Sequence, residues 1–120
     1  MQASLAAGHP VAVTEYPSLA DSLGGGIGLE NRHTFAICRD LLDEVVLVSE
    51  AAIRDAMQAL FTHDRMVAEG GAVVGLAAVL TGAVALTGPS ATILTGRNTD
   101  MATFADIVAG RDLNIGDIFL

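Results

Sequence analysis

The chain has 120 residues, 52% of them hydrophobic, and sets 14 carboxylates against six basic side chains for a formal charge of −8. That length fits one small domain, and that apolar content suffices for a core. The acidic balance argues against a nucleic-acid ligand, whose phosphates it would repel, and against an anionic membrane surface. All six basic residues are arginines, and no lysine occurs anywhere. The single cysteine, Cys38, leaves no internal disulfide and points to a reducing cytoplasm.

In chain order, Met1-Gln-Ala-Ser-Leu-Ala-Ala-Gly8 is alanine-rich and reads as the end of a helix. It has neither the charged start nor the long apolar centre of a signal peptide. Val11 to Glu15 reads as a short extended stretch. Pro17 and Ser18 read as a turn and an N-cap, with Leu19 to Leu23 a short helical stretch. Gly24, Gly25 and Gly26 end it, since glycine takes positive φ or lets another group approach the backbone closely. Residues 32–42 predict a helix with Phe35, Cys38, Leu41 and Leu42 inward, which makes Cys38 a core thiol rather than a nucleophile. Glu44 to Val48 is a continuous apolar run of the kind expected for a strand buried on both faces of a parallel sheet.

Ser49 is a good N-cap, and Ile53, Ala56, Met57, Leu60 and Phe61 follow the spacing of an amphipathic helix. Glu69 or Gly70 opens a second, more apolar helix running to about Leu86, and Pro89 bars its continuation. Thr92 to Thr95 predicts a second buried strand. Asp100 caps a final helix with Met101, Phe104 and Val108 inward and Gly110 past its end. Alternating strands and helices imply an α/β layered fold. No repeat, low-complexity tract or linker divides the chain, so residues 1–120 read as a single partial domain. His9, His33 and His63 are scattered and lack metal-ligand spacing. Asp40, Asp43 and Glu44 read as a solvated helix end.

Gly70 to Gly88 holds nineteen residues without a charge and includes Gly71-x-x-x-Gly75. By length this is a transmembrane candidate, with a spacing used where membrane helices pack closely. Against that reading, the stretch is mainly Ala, Gly and Val, neither flank carries a basic cluster, and no Tyr or Trp marks its edges. A helix buried inside an α/β protein explains the same pattern. A small membrane protein built on residues 70–88 is therefore the lesser alternative.

The ordered segments carry a resemblance. Pro17-Ser-Leu-Ala-Asp-Ser-Leu-Gly-Gly-Gly-Ile-Gly-Leu29 is followed by Asn31-Arg-His-Thr-Phe35, Arg39-Asp-Leu-Leu-Asp43 and Val45-Val-Leu-Val-Ser-Glu50. Then come Arg65-Met-Val-Ala-Glu-Gly-Gly-Ala72 and Ile93-Leu-Thr-Gly-Arg-Asn98. In order and spacing this resembles the fold-type II pyridoxal-phosphate dehydratases, the threonine and serine ammonia-lyases, and among them the hydroxyectoine-utilisation branch. The resemblance runs from about residue 14 to residue 110.

It implies the C-terminal portion of the large domain of a tryptophan-synthase-beta-like enzyme, an incomplete sheet with flanking helices. The implied reaction eliminates water from a hydroxy amino acid, then releases ammonia and a 2-oxo acid. Threonine, serine and a hydroxylated ectoine-derived amino acid are all eligible substrates. The implied cofactor is pyridoxal 5'-phosphate, contacted non-covalently by Thr95, Gly96, Glu69, Ser22, Leu23, Gly24 and Gly25. Thr95 matches the hydroxyl that partners the ring nitrogen, and Glu69 a glutamate near the cofactor. Residues 22–25 match the backbone along ring and substrate, while Asn98 has a weaker claim as a turn residue. Where the family more often has Ser-Gly-Gly-Asn, this chain has Thr95-Gly96-Arg97-Asn98. The hydroxyl is kept, and Arg97 adds bulk and charge.

The family's reactive lysine, its asparagine loop, its phosphate-cradling glycine loop and its acidic metal site all precede the matched region. A guanidinium stays protonated and cannot take the lysine's place. The resemblance therefore implies no catalytic residue and no metal site in this chain. It implies a segment begun at an internal methionine, which works with a complementary N-terminal chain or associates with itself. A non-catalytic α/β interaction module is the alternative.

Overall fold

Gly8 and Gly82 stop two of the helices, and Ser49 and Asp100 start two others, so the ends of the elements follow from single residues. In the computed structural model, which describes residues 1–116 and 118–120, the chain forms two units. One comprises Met1–Tyr16 with Gly24–Val45, the other Pro17–Leu23 with Val46–Leu120.

The first unit holds helices α1 (Gln2–Ala7) and α2 (His33–Leu41), which pack on each other. Gly8, at φ 75°, closes α1 by donating its N–H to the Leu5 carbonyl. Ser4 is buried, and its hydroxyl oxygen accepts the Val11 N–H at 3.1 Å. Asn31 organises the entry to α2. Its Oδ1 accepts the Phe35 N–H at 2.9 Å and the Thr34 hydroxyl at 2.7 Å, while its Nδ2 donates to the Ile27 carbonyl at 2.8 Å. Phe35 is buried as expected, but Cys38 is only half-buried and Leu41 and Leu42 are exposed. Leu41, six residues after Phe35, lies about 120° round the helix from it, and Leu42 leaves the helix as the chain turns extended there (φ −84°, ψ 129°). Val11 to Glu15 carries no regular element.

The core lies in the second unit, around helix α3 (Glu50–Asp64). Ser49 caps α3 by accepting the Ala52 N–H at 3.2 Å. The predicted stripe of Ala56, Met57 and their neighbours Ile53 and Leu60 is buried, with Met57 1% exposed. At the stripe's edge, the Phe61 ring meets Phe104 edge-to-face at 5.5 Å. Helix α4 (Val74–Leu80) and helix α5 (Met101–Val108) both pack on α3.

The long apolar helix expected from residue 69 or 70 to about Leu86 is instead a 3-10 turn over Gly70–Ala72 followed by the seven-residue α4. Helix α4 stops because the Thr81 hydroxyl donates back to the Ala77 carbonyl at 2.8 Å and Gly82 adopts φ 72°. Among the described residues no helix is long and apolar enough to cross a membrane.

Helix α5 begins at Asp100, whose Oδ1 accepts the Thr103 N–H at 2.8 Å and the Thr103 hydroxyl at 2.9 Å. Its buried residues are Phe104 and Ile107, with Val108 half-buried. Met101, expected inward, is exposed, because the stripe that reaches α3 starts one turn later. Gly110 follows at φ 66° as predicted.

The two expected strands, Glu44 to Val48 and Thr92 to Thr95, are not strands here. Leu47 is 71% and Ile93 81% exposed, so neither run is buried on two faces. A strand exists only through ladder bonds to a neighbour, and among the described residues neither run has one. The sheet that does form is a short antiparallel pair that the sequence did not announce, β1 (Asn114–Ile115) and β2 (Ile118–Phe119). Reciprocal backbone bonds between Leu113 and Leu120 at 2.8 and 2.9 Å extend it.

Candidate functional site

In the second unit four stretches of chain converge on a cleft of about 420 Å³. The turn over residues 18–22 supplies Ser18, Leu19, Asp21 and Ser22. Glu69 enters from the residue before the 3-10 turn. Asn98, Thr99, Asp100 and Thr103 come from the entry to α5, and Asn114 and Ile115 from β1.

Glycines set the closeness of these walls. A Cβ on Gly70 would lie 2.9 Å from the Ala20 nitrogen and closer still to the Leu19 carbonyl, so only glycine lets the 19–20 backbone seat there. A Cβ on Gly71 would strike the Ser22 hydroxyl, and one on Gly96 would strike the Glu69 carboxylate. Glu69 is extended (φ −77°, ψ 161°), and its N–H donates to the Gly96 carbonyl at 3.2 Å. Ser22, Glu69 and Gly96 are thus brought together by three bare Cα positions.

Of the residues singled out from sequence, Ser22 and Glu69 face the same cleft, and Gly96 backs Glu69. Asn98 lines the cleft too, a stronger position than a turn residue suggested. Leu23 closes the 3-10 turn Asp21–Leu23, its N–H donating to the Ala20 carbonyl at 2.8 Å, but it is exposed and not among the lining residues. Thr95 is exposed and is not among them either, and it ends no strand. Gly24 and Gly25 fall in the first unit. There Gly25 has φ 90°, and a Cβ on it would sit 2.8 Å from a Glu15 carboxylate oxygen.

Sequence reasoning missed Asp21, Thr103, Asn114 and Ile115 as lining groups and read Asp100 only as a cap. No local pattern marks them: Asp21 arrives with the 18–22 turn, and Thr103, Asn114 and Ile115 reach the cleft only through the packing of α5 and β1.

Asp21, Glu69 and Asp100 give the cleft its charge; the other polar groups are hydroxyls and side-chain amides. The Thr103 backbone N–H, and after it the Thr103 hydroxyl, hold the Asp100 carboxyl below the usual aspartate range. Such a lining accepts hydrogen bonds and favours neutral or cationic polar groups. It disfavours a phosphate.

The family profile described as "Pyridoxal-phosphate dependent enzyme" matches residues 1–96, and the chain belongs to that family. It is 50% identical over 92% of its length to the "Putative threonine dehydratase" of Sinorhizobium fredii, covering 33% of that protein. It is 38% identical to the L-threonine ammonia-lyase of Geobacter sulfurreducens, over 93% of this chain and 29% of that one. It is 35% identical to the phenylserine dehydratase of Ralstonia pickettii, over 88% of this chain and 32% of that one. The chain therefore spans about a third of the length of these relatives.

Proposed function

We propose that this chain is the C-terminal segment of the large domain of a pyridoxal-phosphate-dependent ammonia-lyase acting on a hydroxy amino acid, and that it forms the ring-side wall of the cofactor pocket. The reading is carried by one observation: Ser22 and Glu69, two positions that match the family's pocket, share a cleft closed behind Glu69 by Gly96. The donor set fits the ring and not the rest of the cofactor. Within the cleft the Ser22 hydroxyl and the Glu69 carboxylate, seated against bare Gly96, suit the rim of a pyridine, while Thr95 enters through its match to the family and not through the lining. Three carboxylates at the cleft do not suit a phosphate, and a chain without lysine has no side-chain amine for the aldehyde.

Pyridoxal phosphate, when bound, supplies the electron sink for the elimination. This chain's part is to bind and orient. Thr95 would offer its hydroxyl to the ring nitrogen, Glu69 would hold a polar group at the ring's edge, and the turn through Ser22 and Leu23 would bound the substrate side. Gly24 and Gly25 continue that turn in sequence.

The reaction needs groups that this segment lacks, so a complementary N-terminal polypeptide supplies them and completes the sheet; a second copy in self-association would pair the open edge but bring no lysine. The backbone of residues 44–48 and 92–95, without ladder partners here, supports that reading. The free Cys38 supports a reducing cytoplasm as its compartment.

The test is complementation. The purified chain mixed with pyridoxal phosphate should show no absorbance of a covalently held cofactor and release no 2-oxo acid from threonine or serine. Supplied with the lysine-bearing N-terminal two-thirds of a relative, it should do so. In that assembly Thr95→Val and Glu69→Gln should each lower turnover about tenfold, the effect of one lost hydrogen bond to a polar partner. Activity of the isolated chain, or an assembly indifferent to both substitutions, would overturn the proposal.

A further inference from the structure

The turn that carries Ser22 is held in place from outside the cleft by one carboxylate. Glu50 is the first residue of α3, lies half-buried, and is not among the groups lining the cleft. Its Oε1 accepts the Ser18 hydroxyl at 2.6 Å, and its Oε2 accepts the Leu19 N–H at 2.8 Å. The Ser18 oxygen in turn accepts the Ala20 N–H at 2.9 Å. Both carboxylate oxygens and three consecutive residues are thus used on one turn. Gly70 also offers bare backbone to Leu19 and Ala20. Two residues further on, Ser22 meets Gly71 and opens onto the cleft that Glu69 shares.

We infer that Glu50 is a positioning residue for the pocket: it fixes the 18–22 turn, and with it the distance between Ser22 and Glu69. The inference rests on the ring-side reading of the cleft for its functional meaning, but the clamp itself does not. The geometry also separates this role from a plain structural one. A carboxylate at the start of a helix is favourable whether or not it touches anything, because it faces the unpaired N–H groups of the first turn. Aspartate would keep that benefit but is one methylene too short to span both Ser18 and Leu19. Glutamine would lose the charge yet keep the reach. Its amide oxygen can accept the Leu19 N–H, and its NH₂ can donate to the Ser18 oxygen, whose hydrogen is free to rotate away.

Amide hydrogen exchange and side-chain resonances of the full 120-residue chain test this. In the wild type the Leu19 and Ala20 amides should be protected. Glu50→Ala and Glu50→Asp should raise their exchange about tenfold or more while the Met57 amide is unchanged, and Glu50→Gln should restore protection to within about threefold. Resonances of Ser22 and Glu69 should shift in the first two variants and not in the third. Wild-type-like protection in Glu50→Asp, an unprotected Leu19 in the wild type, or an unmoved Ser22 in Glu50→Ala would overturn the inference.

Titration with pyridoxal phosphate of the complemented assembly separates the two readings. If Glu50→Ala frees the turn but cofactor affinity and turnover stay at wild-type level, the positioning role fails while the ring-side wall stands. If no cleft resonance responds to cofactor in any form, the ring-side wall fails while the clamp stands.

Discussion

Asp100 does two jobs with one carboxylate: it caps α5 and it faces the cleft. Its hydrogen bonds from Thr103 hold its pKa below the 3.8 of an ordinary aspartate. A carboxyl whose pKa is lower folded than unfolded stabilises the charged, folded form. That contribution is full above the unfolded value and disappears as the pH falls through the depressed one. The start of α5 should therefore lose order below about pH 4, read as rising exchange at the Thr103 amide. In Asp100→Asn, where the side-chain oxygen still caps without a titrating charge, that pH dependence should vanish. As a cap this residue was plain in the sequence, since an aspartate before an apolar helical pattern satisfies the first-turn N–H groups. Its place at the cleft was not, because that depends on where α5 docks. Ser22, Glu69 and Gly96 were legible only through the resemblance.

Among the helices, those whose order is local were foreseen. Helix α3 carries its own cap and its own stripe, and α5 its own cap and glycine stop. The long helix expected over residues 70–86 was not local in that sense. Nineteen uncharged residues suggested one continuous element, yet the Leu80-Thr81-Gly82 run held a stop signal: a hydroxyl able to bond back to the preceding turn, then a glycine able to go left-handed. Gly82→Ala should cost about 1 kcal/mol because φ is 72° there. Gly88→Ala, where no neighbour lies within 4 Å and φ is not positive, should be neutral or slightly stabilising. Urea denaturation of the two variants measures the contrast. The predicted strands failed for a different reason. Apolar β-branched runs say that a segment is willing to be a strand, but a ladder also needs a second strand to pair with, and residues 44–48 and 92–95 have none here.

At the scale of the molecule, the chain belongs to the pyridoxal-phosphate-dependent family and is built on the α3-centred core, while among the described residues its one sheet is the β1–β2 pair and not the layered sheet expected from residues 44–48 and 92–95. Exposed Leu47, Leu86 and Ile93 present apolar surface beside unpaired backbone, the combination that drives edge association. The chain should therefore form larger species as its concentration rises, followed by light scattering. Ile93→Asn should reduce that tendency, and the complementary N-terminal polypeptide should suppress it. The hydrogen bonds from residues 18 and 19 to Glu50 join parts of the chain more than thirty positions apart. The turn over residues 18–22 borrows its order from the first turn of α3 and from a glycine after that helix. During refolding it has nothing to lean on until those parts exist, so the wall that would face the ligand is assembled last and, under mild denaturation, is the first to be lost while the helical core still stands.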